Sequence, residues 1–240
     1  MHQVHDYRES PKGDVLIHLA EEPDRGKVNK LGSGYLNEAA DVVKSLCDNS
    51  YHRVLYASSG VVYGDKHDQP CQTSMPVAAS DVYSQSKLMN EEIVLNSGGV
   101  AVRLSNLYGQ GMSDNNVMSD IIRQVPGTGP LKVRDDKPIR DYLHVEDAAS
   151  AFGLLIEKGY SGIVNAGTGI GTSVRSIAEL ALNVCGQSDR EIIATTPSAN
   201  KSINVLDISA TKEILDWLPA LLLKEQLAKL IENKGQEAHD

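Results

Sequence analysis

The 240-residue chain carries 23 Lys and Arg against 32 Asp and Glu, a net charge of −9, with the two signs interspersed. That balance gives no basic footprint for nucleic acid or an anionic membrane, and no apolar run is long enough to span a bilayer. Cys47, Cys71 and Cys185 stand far apart and odd in number, which fits neither a zinc site nor a disulfide framework and points to a reducing, cytoplasmic setting. The nearest histidine pair, His2 and His5, lies in a polar stretch without an export signal, so no metal site and no secretion are expected.

In chain order, four short apolar runs bounded by turn residues read as strands buried on both faces: DVLIHLA at 14–20, RVLYASS at 53–59, VAVRLSN at 100–106 and GIVNAGTG at 162–169. Between them, YLNEAADVVKSLCDN at 35–49 and SQSKLMNEEIVLNS at 84–97 carry helical patterns that end near Asn, Ser or Gly. Strands alternating with helices predict an α/β fold built on a doubly wound parallel sheet, with residues 1–106 as a partial dinucleotide-binding domain of Rossmann type. From about residue 107 the texture changes to GQGMSDNN, PGTGP and RDDKPIRD, and helices are expected at 173–185, 209–216 and 221–233. Residues 107–240 are therefore read as mainly a smaller substrate-binding lobe, with 141–168 returning to the first sheet. The polar tail ENKGQEAHD is expected to fray.

The stretch DVYSQSK places Tyr83 four positions before Lys87. On a helix they share one face, so the ammonium can favour the ionised phenol and make it a usable acid or base at neutral pH. An incidental surface pair would look the same, and context has to decide. That context is YASSGVVYG, where Ser58 and Ser59 end a buried strand at the carboxyl edge, the place where open α/β sheets put their ligands. A hydroxyl there can bind a substrate oxygen that Tyr83 protonates or deprotonates, although serines also end strands for purely local reasons.

Two serines, a downstream Tyr63-Gly64 and a YxxxK that begins twenty-four residues after Ser59 resemble the extended short-chain dehydrogenases, the NAD-dependent epimerase/dehydratase family that acts on nucleotide sugars. Other segments follow in that family's order: VLIHLAEE is similar to its HLAA strand, VNKLGSGYLNEAA to its NVxGTxxLLEAA helix and VRLSNLYGQG to its RxxNxYGP segment. DNNVM, PIRDYLHVEDAASA, NAGTGIGTSV and DISATKEILDW extend the likeness, which runs from about residue 6 to 218.

The resemblance implies Ser59, Tyr83 and Lys87 as the catalytic group, Lys87 also holding the nicotinamide ribose. Asp6 and Tyr7 would approach the adenine, and Leu19, Ala20, Asn29 and Leu107 would line an NAD or NADP cofactor. Asn106, Asn116 and Val117 would touch a nucleotide diphosphate sugar, Lys132, Val133 and Arg134 would flank its base, and Arg140 would meet its diphosphate. A guanidinium suits that last task because it offers paired donors. The plainer alternatives are an Arg140 ion pair to Asp141 or Asp147 and turn roles for Asn106 and Asn116. A homodimer is the expected assembly.

Neither glycine cluster fits a phosphate cradle. GSG at 32–34 follows no strand and GTGIG at 167–171 comes late, whereas the fingerprint sits in a first βα turn. By the resemblance Gly32 only packs a helix, the later cluster turns into the second lobe, and the glycine loop would precede residue 1, so these 240 residues are expected to bind NAD weakly. Gly60 and Val61 follow Ser59 where the family's dehydratases carry an Asp-Glu pair. A nucleotide-sugar epimerase is therefore the first reading, with a keto-sugar reductase and a cofactor-free sugar-nucleotide-binding relative as alternatives. In place of an arginine that usually assists the diphosphate, PSANKSINV offers only Lys201.

Overall fold

All four apolar runs become strands of one parallel sheet. In the computed structural model, which describes residues 6–49 and 51–237, these are β1 (Val15–His18), β2 (Arg53–Ser59), β3 (Val100–Leu104) and the later Gly162–Ala166, ordered side by side in that sequence. Between β1 and β2 run α1 (Arg25–Leu31) and α2 (Ser33–Asp48), and α3 (Val82–Asn96) connects β2 to β3. His2 and His5 lie outside the described residues.

The next elements are β4 (Asn106–Tyr108), α4 (Val117–Gln124), β5 (Leu131–Val133), β6 (Ile139–His144), α5 (Val145–Lys158) and β7 (Gly162–Ala166). After them come β8 (Gly171–Ser173), α6 (Val174–Val184), β9 (Ile192–Ala194), β10 (Ile203–Asn204), α7 (Ser209–Leu215) and α8 (Leu223–Glu237). A second sheet joins β10, β6 and β4, with β8 antiparallel to β6, and β5 pairs with β9. So β7 lies in the first sheet, while β6 belongs to the second.

Alternation on the strands explains the layering. On β2, Val54 and Tyr56 pack with Val43 of α2 and Val94 of α3, whereas Leu55 faces Ala151, Phe152 and Leu155 of α5 together with Trp217. Around α4, α6 and α8 a separate cluster, including Ile121, Ile177, Leu182 and Leu227, fills the smaller lobe. Asp141, fully buried on β6, ties the two regions: its carboxylate accepts Thr168 N at 2.8 Å, the Thr168 hydroxyl at 2.7 Å and Gly169 N at 3.1 Å. A Cβ at Gly167 would fall on that carboxylate, so the late glycine cluster is a close-approach turn.

Three details differ from the sequence reading. The run 100–106 is not one strand: β3 stops at Leu104 and the chain changes sheet, Asn106 pairing with Tyr142 of β6. Gly32 does not pack a helix, since a Cβ there would meet nothing within 4 Å; at φ 70° it kinks the chain between α1 and α2. α8 continues through Glu237, into the tail expected to fray.

Candidate active site at the carboxyl edge of the sheet

Ser59 is the last residue of β2, and α3 begins beside it. Asp81 caps α3, accepting Ser84 N at 2.9 Å while the Ser84 hydroxyl answers the Asp81 backbone N–H at 3.2 Å. A second clamp comes from α1, where Asn29 Nδ2 donates to Asp81 at 3.0 Å and Asn29 Oδ1 accepts Tyr83 N at 3.1 Å. This fixes the first turn of α3, which brings the Tyr83 side chain close to that of Ser59. Lys87, one turn on and buried, approaches the same edge, its Nζ 5.7 Å from the centre of the Tyr83 ring. The structure thus brings Ser59, Tyr83 and Lys87 together.

Their electrostatics differ from the sequence expectation. Lys87 Nζ donates to Glu21 Oε2 at 2.6 Å and to Ala57 O at 2.9 Å, so its charge is matched by a carboxylate just past β1. Burial first, and the Glu21 charge second, push the Tyr83 phenol up to about 12, against opposing pulls from Ser59 and Arg25. The phenol is therefore held neutral and not shifted toward phenolate by Lys87.

Behind this group, Ser58 points into the protein and donates to Glu91, whose carboxylate also receives Arg103 Nη2 at 2.7 Å and Nε at 3.0 Å. The Arg103 guanidinium lies 4.7 Å over the Tyr63 ring, and the Tyr63 hydroxyl donates to Asn165 at 2.8 Å. Sequence reasoning missed Glu21, Glu91 and Arg103. Glu91 is one helical turn beyond Lys87, and Glu21 stands at the last position of the segment resembling HLAA, so both signals were visible.

Among the expected cofactor residues, Tyr7 and Ala20 line one cleft of about 370 Å³ with His18, Glu21 and Tyr35. Asp6 precedes the turn that carries Tyr7, and Leu19 and Leu107 are exposed. Asn29 clamps α3 instead of facing this cleft. The cleft has aromatic and apolar walls from Tyr7, Tyr35, Ala39 and Val42, and three carboxylates, Glu21, Glu22 and Glu38, also line it. No glycine-rich turn follows β1 among the described residues, and the N-terminal amides of α1 are capped by Asp24, which accepts Lys27 N at 3.0 Å. Nucleoside parts of a dinucleotide thus fit these residues, whereas its diphosphate finds no cradle among them.

The expected substrate residues are less uniform. Asn106 is exposed on β4. Asn116 caps α4 by accepting Ser119 N at 2.9 Å, so its side chain is used locally, and Val117 packs on the smaller lobe's core. Lys132 and Arg134 are exposed, but Val133 is buried in that core and cannot present its side chain to a base. Arg140 forms neither considered ion pair. Its guanidinium donates to Ile139 O at 2.8 Å, Ser202 O at 3.0 Å and Ser202 Oγ at 2.7 Å, and Ser202 donates to Asp65, so three of its five N–H donors are used locally. Lys201 pairs with Asp68 on the surface. No cluster of His, Cys, Asp or Glu among the described residues could hold a metal ion.

A parallel sheet with a serine, a tyrosine and a lysine at its carboxyl edge is a Rossmann-type fold of the short-chain dehydrogenase kind. The model of the NAD dependent epimerase/dehydratase family matches residues 2–167, and the chain belongs to that family. It is 27% identical over 240 residues to dTDP-4-dehydro-6-deoxyglucose reductase of Escherichia coli, covering 91% of this chain and 74% of that protein. UDP-glucose 4-epimerase of Mycolicibacterium smegmatis is 26% identical over 94% of this chain and 78% of its own length. The solved structure of RMD from Pseudomonas aeruginosa complexed with NADPH superposes with a TM-score of 0.89 at 22% identity, covering 98% of this chain and 88% of that one. UDP-glucose 4-epimerase from Thermotoga maritima with UDP-glucose gives 0.83 at 22% identity, covering 94% and 78%.

Proposed function

We propose that this chain inverts a hydroxyl-bearing carbon of a nucleotide diphosphate sugar, an NAD(P)-dependent 4-epimerase reaction through a keto-sugar. The observation that carries the reading is the grouping at the carboxyl edge of the sheet of Ser59 at the end of β2, Tyr83 in the first turn of α3 and Lys87 one turn on, its Nζ 5.7 Å from the Tyr83 ring. NAD(P), when bound, supplies hydride acceptance and return. Ser59 would orient the sugar oxygen, Tyr83 would carry its proton, and Lys87 would hold the ribose. Asn106 and the exposed Lys132 and Arg134 are the residues available to the nucleotide sugar. Dehydration is disfavoured chemically: Gly60 and Val61 follow Ser59, so no acidic side chain stands there to expel water.

A second reading, reduction of a nucleotide keto-sugar, is favoured by one observation, the 27% identity over 91% of this chain to a dTDP-4-dehydro-6-deoxyglucose reductase. The test runs the chain with UDP-glucose and NAD, following sugar stereochemistry by NMR, and separately with a nucleotide 4-keto-sugar and NADPH, following loss of reduced nicotinamide. Inversion supports the epimerase and net reduction the reductase. Inactivity in both assays, with each sugar nucleotide still bound, would leave the binding relative.

A further inference from the structure

Nothing in the proposed reaction calls for a carboxylate just past β1, yet Glu21 is built into the site. Tyr56 OH donates to its two oxygens at 2.9 and 3.0 Å, Asn90 Nδ2 donates at 2.8 Å, and Lys87 Nζ at 2.6 Å. The side chains of Glu21 and Lys87 are only 10% and 9% exposed, so their pairing is weakly screened. Tyr56 and Asn90 are themselves buried, on β2 and α3. The carboxylate therefore has one position, and it draws the ammonium toward the β1 side of the site.

We infer that Glu21 is a positioning residue that clasps Lys87 and holds its charge away from the Tyr83 phenol. The inference rests on the reading of Tyr83 as the proton-carrying group. The other groups facing that phenol are Asp81 and Lys87 on α3, Arg25 on α1, Tyr35 on α2, and Ser59 and Tyr56 on β2. Arg25 and Asp81 pair with each other and largely offset. Glu21 is left as the dominant charge on the phenol, and it opposes ionisation. Releasing the clasp would remove that negative charge and free the ammonium to approach the ring, both of which favour phenolate.

The full chain, labelled with carbon-13 in its tyrosine rings, is titrated by NMR without cofactor or substrate, the Tyr83 signal being assigned by its loss in Tyr83→Phe. In the unaltered protein the signal should titrate well above the ordinary tyrosine value. In Glu21→Gln the midpoint should fall by about one unit or more, and Glu21→Asp, which keeps the charge, should retain most of the elevation. Glu21→Ala gives the same comparison if the glutamine variant does not fold. An unchanged midpoint on removing the carboxylate overturns the inference, as does an ordinary midpoint in the unaltered protein, which needs no folded Glu21 variant. Because the readout requires no turnover, failure of the epimerase and reductase assays would refute the proposed activity and leave this result standing.

Discussion

Tyr83 lies half-buried beside Ser59 and carries the only proton the proposed chemistry moves at that position. Replacing it with Phe keeps the ring that packs beneath Lys87 and removes the hydroxyl. Turnover in a cofactor-loaded assay should drop by a factor of about 10² to 10⁴, the usual worth of a positioned acid or base, with circular dichroism unchanged. Comparable rates in Tyr83→Phe would remove Tyr83 from the mechanism. Tyrosines also set a pH limit on the fold. Burial raises Tyr35, Tyr83 and Tyr142 to about 12, and Tyr56 further, each from near 10 in an unfolded chain. The folded state holds these protons more tightly, so its stability is full below about pH 10 and falls as the unfolded chain loses them between about pH 10 and 12. Denaturant midpoints at about pH 9 and pH 11 should differ in that direction, and equal midpoints would count against this burial. The Ser59, Tyr83 and Lys87 group was legible in the sequence because helical spacing and a strand end are local properties. Glu21's hold on Lys87 was not, since its partners Tyr56, Lys87 and Asn90 come from elements brought together only by the sheet and α3.

Glu91 on α3 and Arg103 on β3 form a pair with both side chains 4% exposed, joined by Ser58 at the end of β2. This pair fixes the helix that carries Tyr83 and Lys87 against the strand that carries Ser59. Arg103→Met, which leaves Glu91 buried without its cation, should cost about 3 to 5 kcal/mol in equilibrium unfolding. A loss below about 1 kcal/mol would show that the pair does not bind these elements together. The turn from β1 to α1 yields a second test. It holds Glu21, Glu22 and Asp24 and no glycine, and Asp24 itself caps α1. Backbone amides there face a carboxylate, so an added diphosphate would meet repulsion instead of a positive helix end. Calorimetry of the chain with NAD should give a dissociation constant weaker than about 100 μM, and micromolar binding would mean that the diphosphate sits elsewhere. At this scale the long periodic elements were readable and the short ones were not. α1 buries only Val28, and β5, β9 and β10 span two or three residues, too few to show a period of two. α5 had a usable signal, an apolar face closed by Gly159 in the left-handed conformation at φ 65°, but it sat directly behind a strand within one continuous motif.

The four-stranded sheet ends at β1. Its inner side pairs with β2, and no strand pairs with its outer side among the described residues. Ile17 on that strand is 36% exposed and Leu19 just beyond it 64%, so unpaired backbone groups and apolar side chains lie together. An edge of this kind is a template for another strand, and a second copy of the chain offers the same edge. Pairing of β1 with β1 around a twofold axis would satisfy both rows of backbone groups and cover both leucines. The strand has only four residues, and its last, His18, is held against Glu21, so the contact area is small and the association should be weak. Sedimentation equilibrium should therefore show an average mass that rises from monomer toward dimer between low micromolar and submillimolar concentration. Ile17→Lys, which places a charge on the edge without touching the clasp on Lys87, should hold the chain closer to monomer at the same concentrations while the Tyr83 titration stays where it was. A mass that is monomeric throughout, or a dimer indifferent to the lysine, would show that this edge is not where copies of the chain meet.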